Sequence, residues 1–219
     1  MSTDPSTAER PPLAWITAER VALADLLEDL SDEQWTHPSL CDGWQVRHVV
    51  AHLTMPFRLG LAGMARGLVR HRFRFDQFAR QHARQAGDAL DRAELIDVLR
   101  QHADDPWTPP GVDVNVAMVE VAIHGEDIRQ PLRIERDDVA VFGPVLDASM
   151  TRQMRSFLPP SRVEGLWLSA PDVGWVHGNG PEVEGSGADL ALALWGRAGA
   201  VEQLTGPGVR TLRLRLAQE

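Results

Sequence analysis

Apolar positions along the first two thirds of the chain recur at three- and four-residue intervals, the period of a helix face packed on a core. Over residues 12–30, Leu13, Ile16, Leu23, Leu26, Leu27 and Leu30 form one such stripe, with Pro12 suited to the first turn. Ser31 and Gln34 have capping-box spacing and open a short turn. A second helix follows, with Val46, Val49, Val50, Leu53 and Phe57 as its buried face. Asp42 is expected to cap it, with Gln45 three residues on reaching back. Pro56 removes the donor that would bond the His52 carbonyl, which predicts a kink or local loosening there.

Residues 66–92 are the least regular stretch, rich in arginine and interleaved with Phe73, Phe75 and Phe78. They read equally as a mobile cationic arm and as a solvated connection pinned by its phenylalanines. Asp91 with Glu94 then opens a third helix along Leu95, Val98 and Leu99. A fourth starts near Val112 and buries Val112, Val116, Val119 and Ile123. One more helical pattern carries Val145, Leu146, Met150 and Met154 and ends at Pro159-Pro160, where the domain boundary is placed. The period then changes. LWLSAPDVGWVHG alternates as strands do, a helix runs through Leu190 to Trp195, and TLRLRL reads as a closing strand. The expected architecture is mainly α: a helical bundle over residues 1–160 and a small α+β domain over residues 161–219.

Composition narrows the class. The 219 residues, 43% hydrophobic and 24% charged, are those of a globular protein with room for a sizeable core. A formal charge of −9 argues against a nucleic-acid partner. No apolar run approaches the ~20 residues that a membrane span needs, and the first residues lack a secretory signal's apolar core. One cysteine suits a reducing cytoplasm, the expected location.

Candidate chemistry centres on His52, Glu120 and His124. Glu120 and His124, in VAMVEVAIHGEDI, are about one helical turn apart and leave the same face. His52, in GWQVRHVVAHL, stands at the edge of another buried stripe. Two imidazoles and one carboxylate offer three ligands and leave a coordination position open, the arrangement of a catalytic rather than a structural zinc. A buried glutamate also needs a cation nearby. The spacing alone is a weak pattern, which a chain with eight histidines produces by accident. Neighbouring residues stay open. His48, one turn before His52, is a fourth ligand or a surface histidine, and Asp127 either fixes an imidazole tautomer or is a surface carboxylate. Cys41 is a nucleophile near a helix start or a packed thiol, with no orienting base close in sequence. No serine sits in a nucleophile elbow.

The run SLCDGWQVRHVVAHL, the stretch EVAIHGEDI and the tail from about Gly165 through DLALALWGR to TLRLRL together resemble the mycothiol-dependent maleylpyruvate isomerase family. That resemblance spans nearly the whole chain and implies a DinB-like four-helix bundle followed by a small α/β domain. Carried over residue by residue, it implies metal ligands at His52, Glu120 and His124, with a carboxylate more usual than histidine where His48 stands. It also implies that Arg197, after the tail helix, binds the thiol cofactor and serves catalysis, although a cation there equally offsets the helix dipole.

The function implied is that of a cytoplasmic enzyme using a divalent metal, zinc foremost, and mycothiol as thiol cosubstrate. Its reaction is isomerisation of a maleylpyruvate-like substrate or S-transfer to a small electrophile. The expected partners are that electrophile and the low-molecular-weight thiol, with no nucleic acid or membrane, in a monomer or homodimer. The rival reading is a non-catalytic metal- or partner-binding protein on the same bundle, since a fold does not carry its own activity.

Overall fold

The computed structural model describes residues 10–109 and 111–218, gathered into two compact units. The first is Pro11–Glu135 and the second includes Arg136–Glu219.

The first unit is helical. Helix α1, Pro12–Asp29, starts with proline in its first turn and buries Trp15, Ile16, Leu23, Ala24 and Leu27. The short α2, Asp32–Trp35, is entered through the Ser31–Gln34 capping box that the spacing predicts. Helix α3 covers Val46–Leu53, and here the expected cap is corrected. Gln45, not Asp42, occupies the cap, and its N–H donates to His48 Nδ1 at 3.0 Å. Asp42 falls too early because the chain first makes a turn in which Trp44 N–H bonds the Cys41 carbonyl.

Helix α4 spans Met55–Arg70 with Pro56 in its first turn, so the proline separates two helices rather than bending one. Gly60 redirects α4 at a left-handed φ of 59°, a value that favours glycine. The region expected to be least regular is mostly helix: α5 runs over Phe75–Ala89. Its buried stripe is Phe78, Ala79, Ala83, Ala86 and Gly87, whose small side chains carry little hydropathic signal. A Cβ on Gly87 would stand 2.9 Å from the Arg47 carbonyl oxygen, so glycine permits the close approach of α5 to α3. Helix α6, Arg92–Gln101, is capped by Asp91. Helix α7, Val114–Leu132, is capped by Asp113, whose carboxylate accepts from Asn115 N–H at 2.8 Å. Leu23 and Leu27 of α1, Val46, Val49 and Val50 of α3, Leu95 and Leu99 of α6, and Ile128 of α7 form one core. Taking each such aliphatic side chain out of water is worth roughly 1.5–3 kcal/mol.

The second unit has helix α8, Phe142–Ser149, packed with helix α9, Gly187–Leu194. Strands β1 (Trp167–Ala170), β2 (Trp175–Gly178) and β3 (Glu182–Glu184) form a sheet in the order β2-β1-β3. β1 pairs antiparallel with β2, Leu168 opposite His177, and parallel with β3, Leu168 opposite Val183. Ser186 caps α9 through the Asp189 N–H. Indole N–H groups tie α8 to its neighbours, Trp175 to Asp147 at 2.8 Å and Trp195 to Ser149 at 2.9 Å. The expected closing strand is a helix, α10, Val209–Leu216. Leu212 is fully buried and Leu216 partly so, an i, i+4 pair, whereas Leu214 is left exposed. The alternation in TLRLRL is therefore incidental to what the chain buries. Among the described residues, no helix is long and apolar enough to cross a membrane.

Candidate metal centre

Helices α3 and α7 pack together and bring His52, Glu120 and His124 to one place. His52 lies in the last turn of α3, while Glu120 and His124 are successive turns of α7. His52 Nε2 is 3.1 Å from Glu120 Oε1, and the two imidazole rings meet edge to face with centroids 4.9 Å apart. Potential ligand atoms of all three lie within 4.8 Å of one another. Zinc–ligand bonds of ~2.1 Å place tetrahedral ligand atoms about 3.4 Å apart, so modest closure would complete the set. The donor types fit a divalent ion, and His52 Nδ1 is buried with no hydrogen-bond partner among the described residues. Three such ligands leave a position for an exogenous sulfur or water.

The electrostatics favour the same use. Burial works against ionisation of Glu120, but the His52 hydrogen bond and the charges of His52, His124 and Arg20 outweigh it. Its carboxyl is thus held below the usual carboxylate range. The Glu120 side chain nonetheless keeps 42% of its surface accessible, so its site opens to solvent.

His124 is oriented from behind. Asp127 Oδ2 is 2.8 Å from His124 Nδ1, and Asp127 is fully buried. A proton on Nδ1 would leave Nε2 free to bind a metal, the usual role of a carboxylate behind a metal-binding histidine. The Cys41 thiol donates to the same Oδ2 at 3.1 Å and stands 3.6 Å from His124 Nδ1. Leu40 N–H donates to the Asp127 carbonyl oxygen at 3.0 Å, which fastens this turn to α7. Trp44 closes one side, its ring 5.3 Å from that of His52 and 6.4 Å from that of His124.

His48 does not join the ligand group. Its Nδ1 accepts from Gln45 and its Nε2 is 3.0 Å from Asp88 Oδ1, so both ring nitrogens are engaged away from the cluster. Arg197 lies in the second unit just after α9, where its Nη1 donates to the Trp195 carbonyl at 2.7 Å. Sequence reasoning leaves Cys41 without a base because His124 and Asp127 are distant in the chain, and it assigns Arg20 no place in the site. The buried Arg20 sends Nη1 to the carbonyls of His102 and Asp105, both at 2.8 Å, and its charge acts on Glu120. An arginine inside the buried stripe of α1, about one turn from Ile16 and from Leu23, is the available signal.

The model of the mycothiol maleylpyruvate isomerase N-terminal domain family matches residues 16–129. The chain belongs to this family. The matched segment contains His52, Glu120 and His124 together with Cys41 and Asp127. No curated protein sequence matches the chain. Two crystal structures share its fold, the mycothiol-dependent maleylpyruvate isomerase and a histidine-to-alanine mutant of it. The first is 16% identical with a TM-score of 0.55, the second 17% with 0.56. In both comparisons 94% of this chain and 96% of the other are covered. At these identities the likeness establishes the fold, along nearly the full length of the chain.

Proposed function

We propose that the protein is a cytoplasmic, metal-dependent enzyme that uses mycothiol to isomerise a maleylpyruvate-like substrate or for S-transfer to a small electrophile, in which the whole thiol is joined to the product through its sulfur. The observation that carries this reading is the convergence of His52, Glu120 and His124 inside the family-matched segment. A divalent ion bound there supplies a Lewis-acid position that holds a thiol sulfur deprotonated at neutral pH.

The remaining work belongs to the chain. Glu120 supplies the one anionic ligand, kept ionised by His52, His124 and Arg20. Asp127 fixes the tautomer and direction of His124, and the Trp44 ring shields the imidazoles from water on one side. Three protein ligands would leave a position for a sulfur on a bound ion, and the Glu120 side chain keeps part of its surface open to solvent. Arg197 enters this reading on the resemblance alone, as a guanidinium that binds the thiol cofactor. Arg197→Ala should then raise the thiol KM about tenfold or more, with metal content unchanged.

Zinc is the expected ion from the His/His/Glu set. The deciding experiment gives the zinc-loaded protein mycothiol and a panel of electrophiles that includes maleylpyruvate, and follows product and free thiol together. Isomerisation leaves the thiol concentration unchanged, whereas S-transfer removes one thiol per product. Absence of turnover with every electrophile, in protein shown to hold zinc, would return the chain to the non-catalytic reading.

A further inference from the structure

We propose that Arg58, with His82 beside it, forms a carboxylate-binding subsite next to the His52–Glu120–His124 cluster. The pairing of α3 with α5 sets the level of these residues. At one end His48 meets Asp88, and at the other Met55 packs with Phe78 and Ala79. His82 lies between them on α5, one turn from Phe78, and so stands level with the end of α3 that carries His52. Arg58 reaches the same level from α4. Its side chain folds back along α3, Nε donating to the Thr54 hydroxyl at 3.1 Å and Nη2 to the Ala51 carbonyl at 2.7 Å.

The arginine is half-buried, yet no carboxylate pairs with it among the described residues. Glu94 is the acidic group that acts on it, and only through space. Arginines taken out of water are normally paired, so an unpaired one beside a candidate active site calls for an anion. Its Nη1 has no acceptor among the described residues, which leaves the outer edge of a pinned, planar donor available. That edge suits a carboxylate, which the guanidinium fork binds through two oxygens.

His82 adds a polar ring without adding charge. Burial lowers its pKa, and the charges of Arg58 and His52 lower it further. Its Nδ1 is buried and has no partner among the described residues. The cluster thus offers acceptors for a cation, and the adjoining subsite offers donors for an anion. A small carboxylate with an electrophilic carbon can bridge the two, and in this respect the inference rests on the proposed function.

The test uses maleate, a cis-dicarboxylate, titrated calorimetrically into the full-length protein with and without zinc. Wild-type protein should bind it saturably, and Arg58→Gln should raise the maleate Kd about tenfold or more. Arg58→Lys should recover part of that loss, since it restores the charge and not the fork. His82→Gln should raise the Kd several-fold, and it remains informative if loss of the Arg58 hydrogen bonds unfolds that variant. Zinc stoichiometry should be unchanged throughout. Failure of wild-type protein to bind maleate, or an unchanged Kd in the folded variants, overturns the subsite. Arg58-dependent maleate binding by a protein that takes up no zinc would sink the metal reading and leave the subsite standing.

Discussion

The interiors of the two units are built from different materials. In the helical unit Glu19, Arg20, His48, His52, Glu126, Asp127 and Arg129 are all buried among the aliphatic residues. Among the described residues of the second unit the buried polar ones are Ser149, Arg162 and Ser169, around an α9 whose Leu190, Ala191, Leu192, Ala193 and Leu194 are completely enclosed. Arg162 spends a guanidinium N–H on the Leu194 carbonyl, and Ser149 accepts from an indole, so both serve packing. A polar group taken out of water must find partners there to offset its desolvation, so an interior built for packing alone gains little by holding one. A unit that accepts so many holds them for another purpose, and the lines from Arg20, Asp127 and Cys41 all lead to Glu120 and His124. The second unit shows how the chain packs an interior that holds none of the three candidate ligands.

The sharpest break of this comparison is His52→Ala. If polar burial on α3 and α7 serves metal binding, this change abolishes stoichiometric zinc uptake, measured by metal analysis after dialysis. Helical circular dichroism should stay as in wild type, because the aliphatic stripes on α1, α3, α6 and α7 hold the fold without an ion. Full occupancy in a triple variant at His52, Glu120 and His124 would remove the metal centre from consideration. Loss of helicity on adding a chelator to wild-type protein would make the ion structural instead.

The second unit answers to a different measurement. Leu192→Ala removes a fully buried side chain from the enclosed run of α9 and should destabilise the protein by about 2–5 kcal/mol in denaturant titration. Zinc stoichiometry at low denaturant should not change. A simultaneous loss of zinc would show that the division between a polar functional interior and an apolar packing interior is false.

The same division explains how far the sequence could be read. The bundle was legible because Leu23, Leu27, Val46, Val49, Leu95 and Leu99 are large, apolar and spaced at the helical period. Helix α5 was not, because alanine and glycine form most of its buried stripe and its polar faces carry the arginines. α10 was misread because Leu212, Leu214 and Leu216 alternate as a strand would, although the tail buries the i, i+4 pair. In the candidate site, the Glu-x3-His spacing could be read since one helix carries both residues. The Cys41–Asp127 contact could not, since it joins a turn to a helix far along the chain. His48 illustrates the limit of spacing alone. It repeats the His-x3-His pattern with His52, yet its nitrogens are committed to Gln45 and Asp88.

Asp127→Asn tests whether the buried carboxylate behind His124 belongs to the functional interior. The amide can still accept from Nδ1 but brings no negative charge to the imidazole. Zinc affinity should fall about 10–100-fold, as for other carboxylates behind ligating histidines, with the folded state retained by circular dichroism. Competition against a chromophoric chelator reads this directly. Unaltered affinity would make Asp127 a packing group that happens to lie beside the ligand.

The smallest effect is expected at Asp88, and it asks whether every polar contact of α3 is functional. The hydrogen bond from His48 holds the Asp88 carboxyl below the usual carboxylate range. Slight burial opposes this, and the charges of Arg47, His48 and Arg84 assist. A carboxyl with a lower pKa in the folded than in the unfolded chain stabilises the fold above its unfolded pKa of ~3.9. That contribution disappears as pH falls through the lower, folded value. The Asp88 side chain is 53% exposed, so solvent screens the pair and the gain is slight. The Tm difference between wild type and Asp88→Asn should therefore be small and steady from about pH 8 to pH 5, and should shrink toward zero near pH 3. Zinc binding should be the same in both proteins, because His48 contributes nothing to the ligand group. A fall in zinc affinity in Asp88→Asn would place His48 within the metal centre's reach, and the polar interior of the helical unit would then act as one network.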